Sequence, residues 1–97
     1  MIITGKQRRT LRSLGQRLSV SATVGKDGLT DDFTSHLAEL FERAELLKVR
    51  LTTEQGAARK ATAQRLANAS EAQLVGVVGR TVLLYKPNVD LEERISF

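Results

Sequence analysis

The sequence is poor in several residue types that carry specialised functions. It contains no cysteine and no tryptophan, and it contains a single proline. The absence of cysteine excludes disulfides and thiolate-bound metals, and it is compatible with a reducing compartment such as the cytoplasm. No apolar run approaches the roughly 20 residues that span a bilayer, and the N-terminal apolar stretch is too short for a signal peptide. We therefore expect a cytoplasmic protein without a membrane partner.

Catalytic groups are also scarce. The only histidine, His36, lies off the apolar stripe of its predicted helix, which is typical of a surface residue. No serine or threonine has an identifiable base partner. Asp31 and Asp32 are adjacent on a helix, so their carboxylates diverge, and helix capping explains both. We predict that the protein is not an enzyme and has no metal, cofactor or small-molecule substrate.

The charge of the chain is unevenly distributed. The net charge is +4, but residues 1–26 carry +6 without a single acidic residue, and residues 27–97 carry −2. Clustered lysine and arginine favour a polyanionic partner because they release counterions from phosphates. Small proteins are often basic without such a partner, so charge alone leaves the two interpretations about equally open.

Hydrophobic periodicity predicts three helices and four strands. In chain order these are a helix over residues 4–17, a strand over 20–24, a helix that begins after Thr30, a strand through Leu47, Val49 and Leu51, a helix over 57–69, and strands over 73–78 and 81–86. The order α-β-α-β-α-β-β predicts an α/β fold of α+β-like, two-layer form, with a mixed four-stranded sheet. We expect one domain over residues 1–97, with an acidic tail over 88–97 that could be partly ordered.

Two predicted elements place cations on exposed faces. In the first helix Leu11, Leu14 and Leu18 form the apolar stripe, and its basic residues fall largely on the exposed side. In the strand around Val49, two cations alternate with the apolar residues and share the open face. The cations concerned are Arg8, Arg9 and Arg12 in the helix, and Lys48 and Arg50 in the strand.

The segment Gly25-Lys26-Asp27-Gly28 is the strongest positive feature. Glycines at both ends allow positive φ and let a phosphate approach without a Cβ in the way. The loop leads into a helix N-terminus, whose free N–H groups favour an anion, while Lys26 adds charge and Asp27 opposes it. A plain strand-to-helix turn also needs glycine. Taken alone, the loop favours the plain turn by about two to one.

Further residues could add to a phosphate-binding surface around the glycine loop. Lys48, Arg50 and Arg80 could widen a basic surface, although each is also explained as a solubilising surface charge, and for Lys48 and Arg50 that interpretation is favoured. Gly79-Arg80 suits a type II′ hairpin turn. Tyr85 could stack on a base or pack in the core. Aromatic residues make up 4% of the chain, which argues against the aromatic stacking platform of RRM domains.

Several segments together resemble a known family. Val24-Gly25-Lys26-Asp27-Gly28-Leu29-Thr30 looks like the signature loop of the CRM domain (chloroplast RNA splicing and ribosome maturation). Three other segments match in order, namely Lys6-Gln7-Arg8, Glu45-Leu46-Leu47-Lys48-Val49-Arg50, and the stretch over residues 78–87. The resemblance extends to about Pro87, and the chain length resembles the stand-alone bacterial, YhbY-like members. The acidic tail departs from the more basic family pattern.

The resemblance implies a fold similar to the C-terminal domain of translation initiation factor 3. It also implies RNA binding and association with rRNA in precursors of the large ribosomal subunit, as an assembly factor, and we expect a monomer. The predicted RNA-binding residues are Gly25, Lys26, Asp27, Gly28, Lys6, Arg8, Arg9, Arg12, Lys48, Arg50 and Arg80. The alternative is a protein-interaction module that docks an acidic partner through the basic face.

Overall fold

The computed structural model describes residues 3–25, 27–52 and 56–97. Within these residues, three helices and four strands follow the predicted order. The elements are α1 (Gly5–Gly15), β1 (Ala22–Val24), α2 (Asp31–Phe41), β2 (Leu46–Leu51), α3 (Gly56–Ala69), β3 (Gln73–Val78) and β4 (Thr81–Tyr85). Lys26, predicted to add charge to the glycine loop, lies outside the described residues.

Local hydrogen bonds start the first two helices where the sequence predicts. Thr4 Oγ1 accepts from the Gln7 N–H at 3.1 Å, and Gln7 Oε1 accepts from the Thr4 N–H at 2.9 Å, which completes a capping box. Thr30 Oγ1 accepts from the Phe33 N–H at 3.1 Å. Both caps satisfy amides that have no partner within the helix, so the predicted starts of α1 and α2 are confirmed.

The four strands form one mixed sheet in the order β1-β2-β4-β3. β1 is parallel to β2, and the other two pairings are antiparallel. Gly79, in the β3–β4 turn, has a φ of +56°, while Arg80 has no positive φ. This combination is typical of the predicted type II′ turn. The register of β3 shifts between Leu74 and Gly76, where the edge strand carries a bulge.

Helices cover both faces of the sheet. Helices α2 and α3 pack on one face, and alternate strand residues such as Leu47, Val49 and Leu51 belong to that core. Leu46 points the other way and packs with α1. The second core consists of Ile3, Leu11, Leu46, Val75, Leu83 and Tyr85. The predicted α+β class with three helices and a mixed four-stranded sheet is confirmed. The predicted two-layer form is corrected to three layers, because α1 packs on the second face.

The packing of α1 corrects the predicted apolar stripe. Leu14 was expected inside but is 40% exposed. Gly15 takes the inward position instead, and a Cβ there would come 2.7 Å from Leu83 Cδ2. The glycine therefore lets the end of α1 lie directly on the sheet.

One buried carboxylate fixes the C-terminal tail. Glu45 is 3% exposed, and its Oε2 accepts from the Asn88 N–H at 2.7 Å and from Arg94 Nε at 3.2 Å. Its Oε1 accepts from the Ile95 N–H at 2.7 Å. Burial alone would raise the pKa of Glu45, but these hydrogen bonds and the Arg94 charge outweigh it and lower the pKa.

Candidate nucleic-acid interface

The glycine loop and the β3–β4 turn lie at the same end of the sheet. Val24, the last residue of β1, pairs with Leu51, and the Leu51 N–H donates to the Arg80 carbonyl at 2.7 Å. Gly25 is therefore about 10 Å, or two strand spacings, from the turn. We call this region, with Gly25, Asp27, Gly28, Arg50 and Arg80, the loop end.

The two glycines of the loop differ in what the fold requires of them. Gly28 has a φ of +71°, which favours glycine, and its N–H donates to the Gly25 carbonyl at 3.1 Å. Gly25 has no positive φ, and a Cβ there would meet nothing within 4 Å. The positive φ favours glycine at position 28, whereas neither φ nor packing requires glycine at position 25. Open space in front of Gly25 is what a closely approaching ligand requires.

The basic residues of α1 separate into exposed and engaged cations. Lys6 and Arg9 are exposed. Arg8 was predicted on the exposed side, but this is wrong: it is half-buried, and its Nη1 donates to the carbonyls of Leu74, at 2.8 Å, and Val75. These carbonyls lie at the bulge of β3, so Arg8 satisfies backbone groups that the bulge leaves open.

The α1 face of the sheet is covered only in part. Two rows of paired residues cross this face from strand to strand. The first row consists of Lys48, Leu83 and Gly76. The second row consists of Thr23, Arg50, Thr81 and Val78. Lys48 is half-buried under the end of α1, whereas Arg50 is exposed. The predicted open face is therefore open at Arg50 and partly closed at Lys48. We call the second row the uncovered row.

Two cations near the start of α3, Arg59 and Lys60, add to the loop end, and the sequence analysis missed them. Arg59 Nη1 donates to the Gly79 carbonyl at 2.7 Å, and Arg59 and Lys60 line a shallow hollow together with Gly79. A pair of adjacent cations in the first turn of an alanine-rich helix was the available signal. Cations are disfavoured at a helix N-terminus, so their presence there needs another cause.

Most of the described acidic residues collect at the opposite end of the sheet. This tail end contains the start of β2 and β3, the end of β4, and the tail. Its acidic residues are Glu42, Glu45, Glu71, Asp90, Glu92 and Glu93. Only Asp27, Asp31 and Asp32 lie near the loop end within the described part of the chain, and the last two are in the first turn of α2. The loop end therefore carries fewer of the described acidic residues than the tail end, where Arg43, Lys86 and Arg94 also lie.

Other candidate sites are not supported by the geometry. His36 is exposed, and the described residues contain no group of three or more histidine or acidic side chains placed to hold a metal ion. Tyr85 is 2% exposed and meets the Phe97 ring edge-on at 5.8 Å, so it packs in the core and does not stack on a base. No helix among the described residues is long and apolar enough to cross a membrane.

A three-layer α+β domain with a glycine loop at the basic end of its sheet has a known structural counterpart. The solution structure of SAV1595 from Staphylococcus aureus matches with a TM-score of 0.82 at 29% identity, over 92% of this chain and 93% of that one. Residues 3–86 match the CRS1 / YhbY (CRM) domain. The chain belongs to this family, and the resemblance stated from the sequence is confirmed.

Two relatives extend the comparison. "Probable RNA-binding protein YqeI" of Bacillus subtilis is 38% identical over 85 residues, which cover 88% of each chain. "Probable RNA-binding protein PA4753" of Pseudomonas aeruginosa is 28% identical over 96 residues, covering 99% of this chain and 92% of the relative. The similarity thus includes the loop, the sheet and all three helices.

Proposed function

We propose that the protein binds RNA through the loop end and the exposed side of α1, without catalysis. The observation that carries the proposal is the uneven distribution of charge: Arg50, Arg59, Lys60 and Arg80 lie around an open glycine loop, and most of the described acidic residues lie at the other end. Phosphate contacts by lysine and arginine supply most of the affinity in such binding. The names of the two relatives support the same ligand.

The residues take different roles in this proposal. Gly25 and Gly28 let a phosphate approach the loop backbone and the N-terminus of α2, and Lys26 adds a charge beside Asp27. Arg50 and Arg80 supply charge from the sheet, and Lys6, Arg9 and Arg12 supply it from α1. Arg8 contributes its charge while its hydrogen bonds hold the bulge.

The more specific partner we propose is rRNA in precursors of the large ribosomal subunit. This step rests on the membership of a family that includes ribosome-maturation proteins. The protein then acts as a monomeric assembly factor in the cytoplasm, binding stoichiometrically and requiring no cofactor or small-molecule substrate. Shape and phosphate positions on structured RNA would provide the recognition.

Salt-dependent binding to an rRNA fragment tests the RNA-binding proposal. In Arg50→Gln/Arg80→Gln, we expect weaker binding and a plot of log affinity against log salt that is flatter by about two units, one for each lost phosphate contact. Arg43→Gln is the control, because Arg43 is exposed and follows α2 at the tail end. Equal slopes in the loop-end variant and the wild type would contradict the proposal.

A second experiment separates RNA from an acidic protein as the partner. We expect the protein to sediment with ribosomal particles from cell extract and to lose this association after RNase treatment. If association persists after complete RNA digestion, the basic face docks a protein and the RNA proposal is wrong. If the association is lost after RNase treatment, crosslinking in cells identifies the bound rRNA segments.

A further inference from the structure

A small cavity opens where α1 ends on the sheet. It measures about 150 Å³. Four of its lining residues present apolar or backbone surface, and four present polar or charged groups. The first four are Gly15, Gly76, Val78 and Leu83, and the others are Arg12, Gln16, Lys48 and Thr81. No acidic residue lines it.

Two of the lining residues are glycines, which let α1 and the Arg12 side chain approach the sheet closely beside the cavity. Gly15 ends α1 in close contact with Leu83. In the row Lys48–Leu83–Gly76, Gly76 contributes no side chain. The Arg12 guanidinium occupies the space over Gly76, with Nε 3.1 Å from the place of a Cβ. The result is an apolar floor with a planar cation along one wall.

The uncovered row forms the open side of this cavity. Val78 is 70% exposed although it is apolar, and Arg50 and Thr23 continue the row toward the glycine loop. Thr81 Oγ1 donates to the Val78 carbonyl at 2.8 Å, so the lone pairs of this hydroxyl are available to an N–H group. A ligand in the cavity could thus continue along a basic surface to the loop end.

We propose that this cavity binds a single unstacked base of the RNA. A base has apolar faces and polar edges, and it is attached to phosphates that suit the surrounding cations. Guanidinium planes stack on bases that have left a helix, and the Arg12 guanidinium lines this cavity; Lys48 and Thr81 supply a donor and an acceptor for the edges. This inference rests on the proposed RNA binding and adds the ligand class: structured RNA with a bulged or looped-out nucleotide.

The proposed base pocket has no aromatic ring among its lining residues. Single-strand binders that lack sequence preference usually stack bases on exposed aromatic rings, but Tyr85 is buried here. An aliphatic floor with an arginine wall offers the same kind of surface to one base. The cross-strand pairing of Leu83 with Gly76 provides this floor without any aromatic side chain.

Two RNA hairpins with the same stem test the proposal. One is fully paired, and the other carries a single bulged 2-aminopurine. We expect the bulged hairpin to bind about tenfold more tightly, as stacking of one base allows, with 2-aminopurine fluorescence changing on binding. In methyl NMR spectra of the intact chain, Val78 and Leu83 should shift with the bulged RNA only.

A matched pair of variants assigns the effect to the cavity. Val78→Ser removes an exposed methyl surface at the cavity, and Val89→Ser makes the same change in the tail, where Val89 is 78% exposed. We expect Val78→Ser to reduce the preference for the bulged RNA to less than twofold and Val89→Ser to leave it intact. Thermal unfolding of both variants confirms that they are folded.

The possible results distinguish the pocket from RNA binding itself. Equal affinity for both hairpins, with no shift at Val78 or Leu83, overturns the base pocket and leaves RNA binding standing. Tight binding of the bulged RNA that Val78→Ser does not change, with no methyl shifts, also overturns the pocket. Binding of neither hairpin overturns both proposals.

Discussion

The Arg12 side chain lies directly against the backbone of Gly76. A Cβ at position 76 would come 3.1 Å from Arg12 Nε and 3.2 Å from its Nη2. Glycine weakens a strand interior and often marks a close approach to another group. Here the approaching group is a guanidinium from α1, so Gly76 sets the position of a cation at the proposed RNA surface.

Substitution of Gly76 separates stability from binding. Because Arg12 is a flexible side chain, Gly76→Ala should displace the guanidinium without unfolding the protein, and the free energy of unfolding should change by less than about 1 kcal/mol. RNA affinity should fall about fivefold, as for loss of one contact. Gly5→Ala is the control, because a Cβ there meets nothing within 4 Å. Unchanged affinity in Gly76→Ala would show that Arg12 is not positioned for RNA.

Two neighbouring arginines should behave in opposite ways. Arg8→Ala leaves the Leu74 and Val75 carbonyls without their donor and should lower the free energy of unfolding by about 2 kcal/mol. Arg9 is exposed, so Arg9→Ala should change the free energy of unfolding by less than about 0.5 kcal/mol while weakening RNA binding. Urea unfolding and RNA titration of both variants check this. Similar stabilities for the two variants would contradict the structural role of Arg8.

The sequence predicts the local elements well because their signals are local. Thr4 and Thr30 cap their helices where expected, and Gly79 forms the expected turn. The sequence does not say which sheet face a helix covers. Leu46 directly before Leu47 was the signal that both faces of β2 are buried, and it was missed; α1 therefore covers part of the face where Lys48 was expected to be open.

Some residues of the candidate site were predictable from the sequence, and others were not. The glycine loop, Arg50 and Arg80 meet at one end because the strand order β1-β2-β4-β3 brings them there. The pattern of elements predicted a mixed four-stranded sheet but not this order. Arg8 could not be distinguished from Arg9, since only the bulge at Leu74 shows which arginine finds carbonyl partners. The role of Glu45 depends on residues more than 40 positions later, so no local pattern shows it.

Loss of the Glu45 carboxylate should release the tail. Glu45→Ala leaves the N–H groups of Asn88 and Ile95 without acceptors, so we expect the free energy of unfolding to fall by about 2–4 kcal/mol. Proteolysis within residues 88–97 should become faster. RNA affinity should stay within about twofold, because the tail lies away from the loop end. Glu42→Ala is the matched control, as Glu42 is exposed. Slow proteolysis in Glu45→Ala would refute the anchoring role.

The same carboxylate predicts how stability responds to acid. The pKa of Glu45 in the folded protein is below its ordinary value of 4.5, because hydrogen bonds from Asn88, Ile95 and Arg94 outweigh the opposing effect of burial. A lowered pKa stabilises the fold fully above the unfolded-state pKa, and this stabilisation is lost as pH falls through the folded-state pKa. Urea unfolding should therefore show stability declining below about pH 4.5, with the Ile95 amide signal titrating in the same range. Glu45→Gln should be less stable at neutral pH but should show a shallower decline in acid. Parallel declines in the variant and the wild type would mean that other carboxylates cause the acid sensitivity.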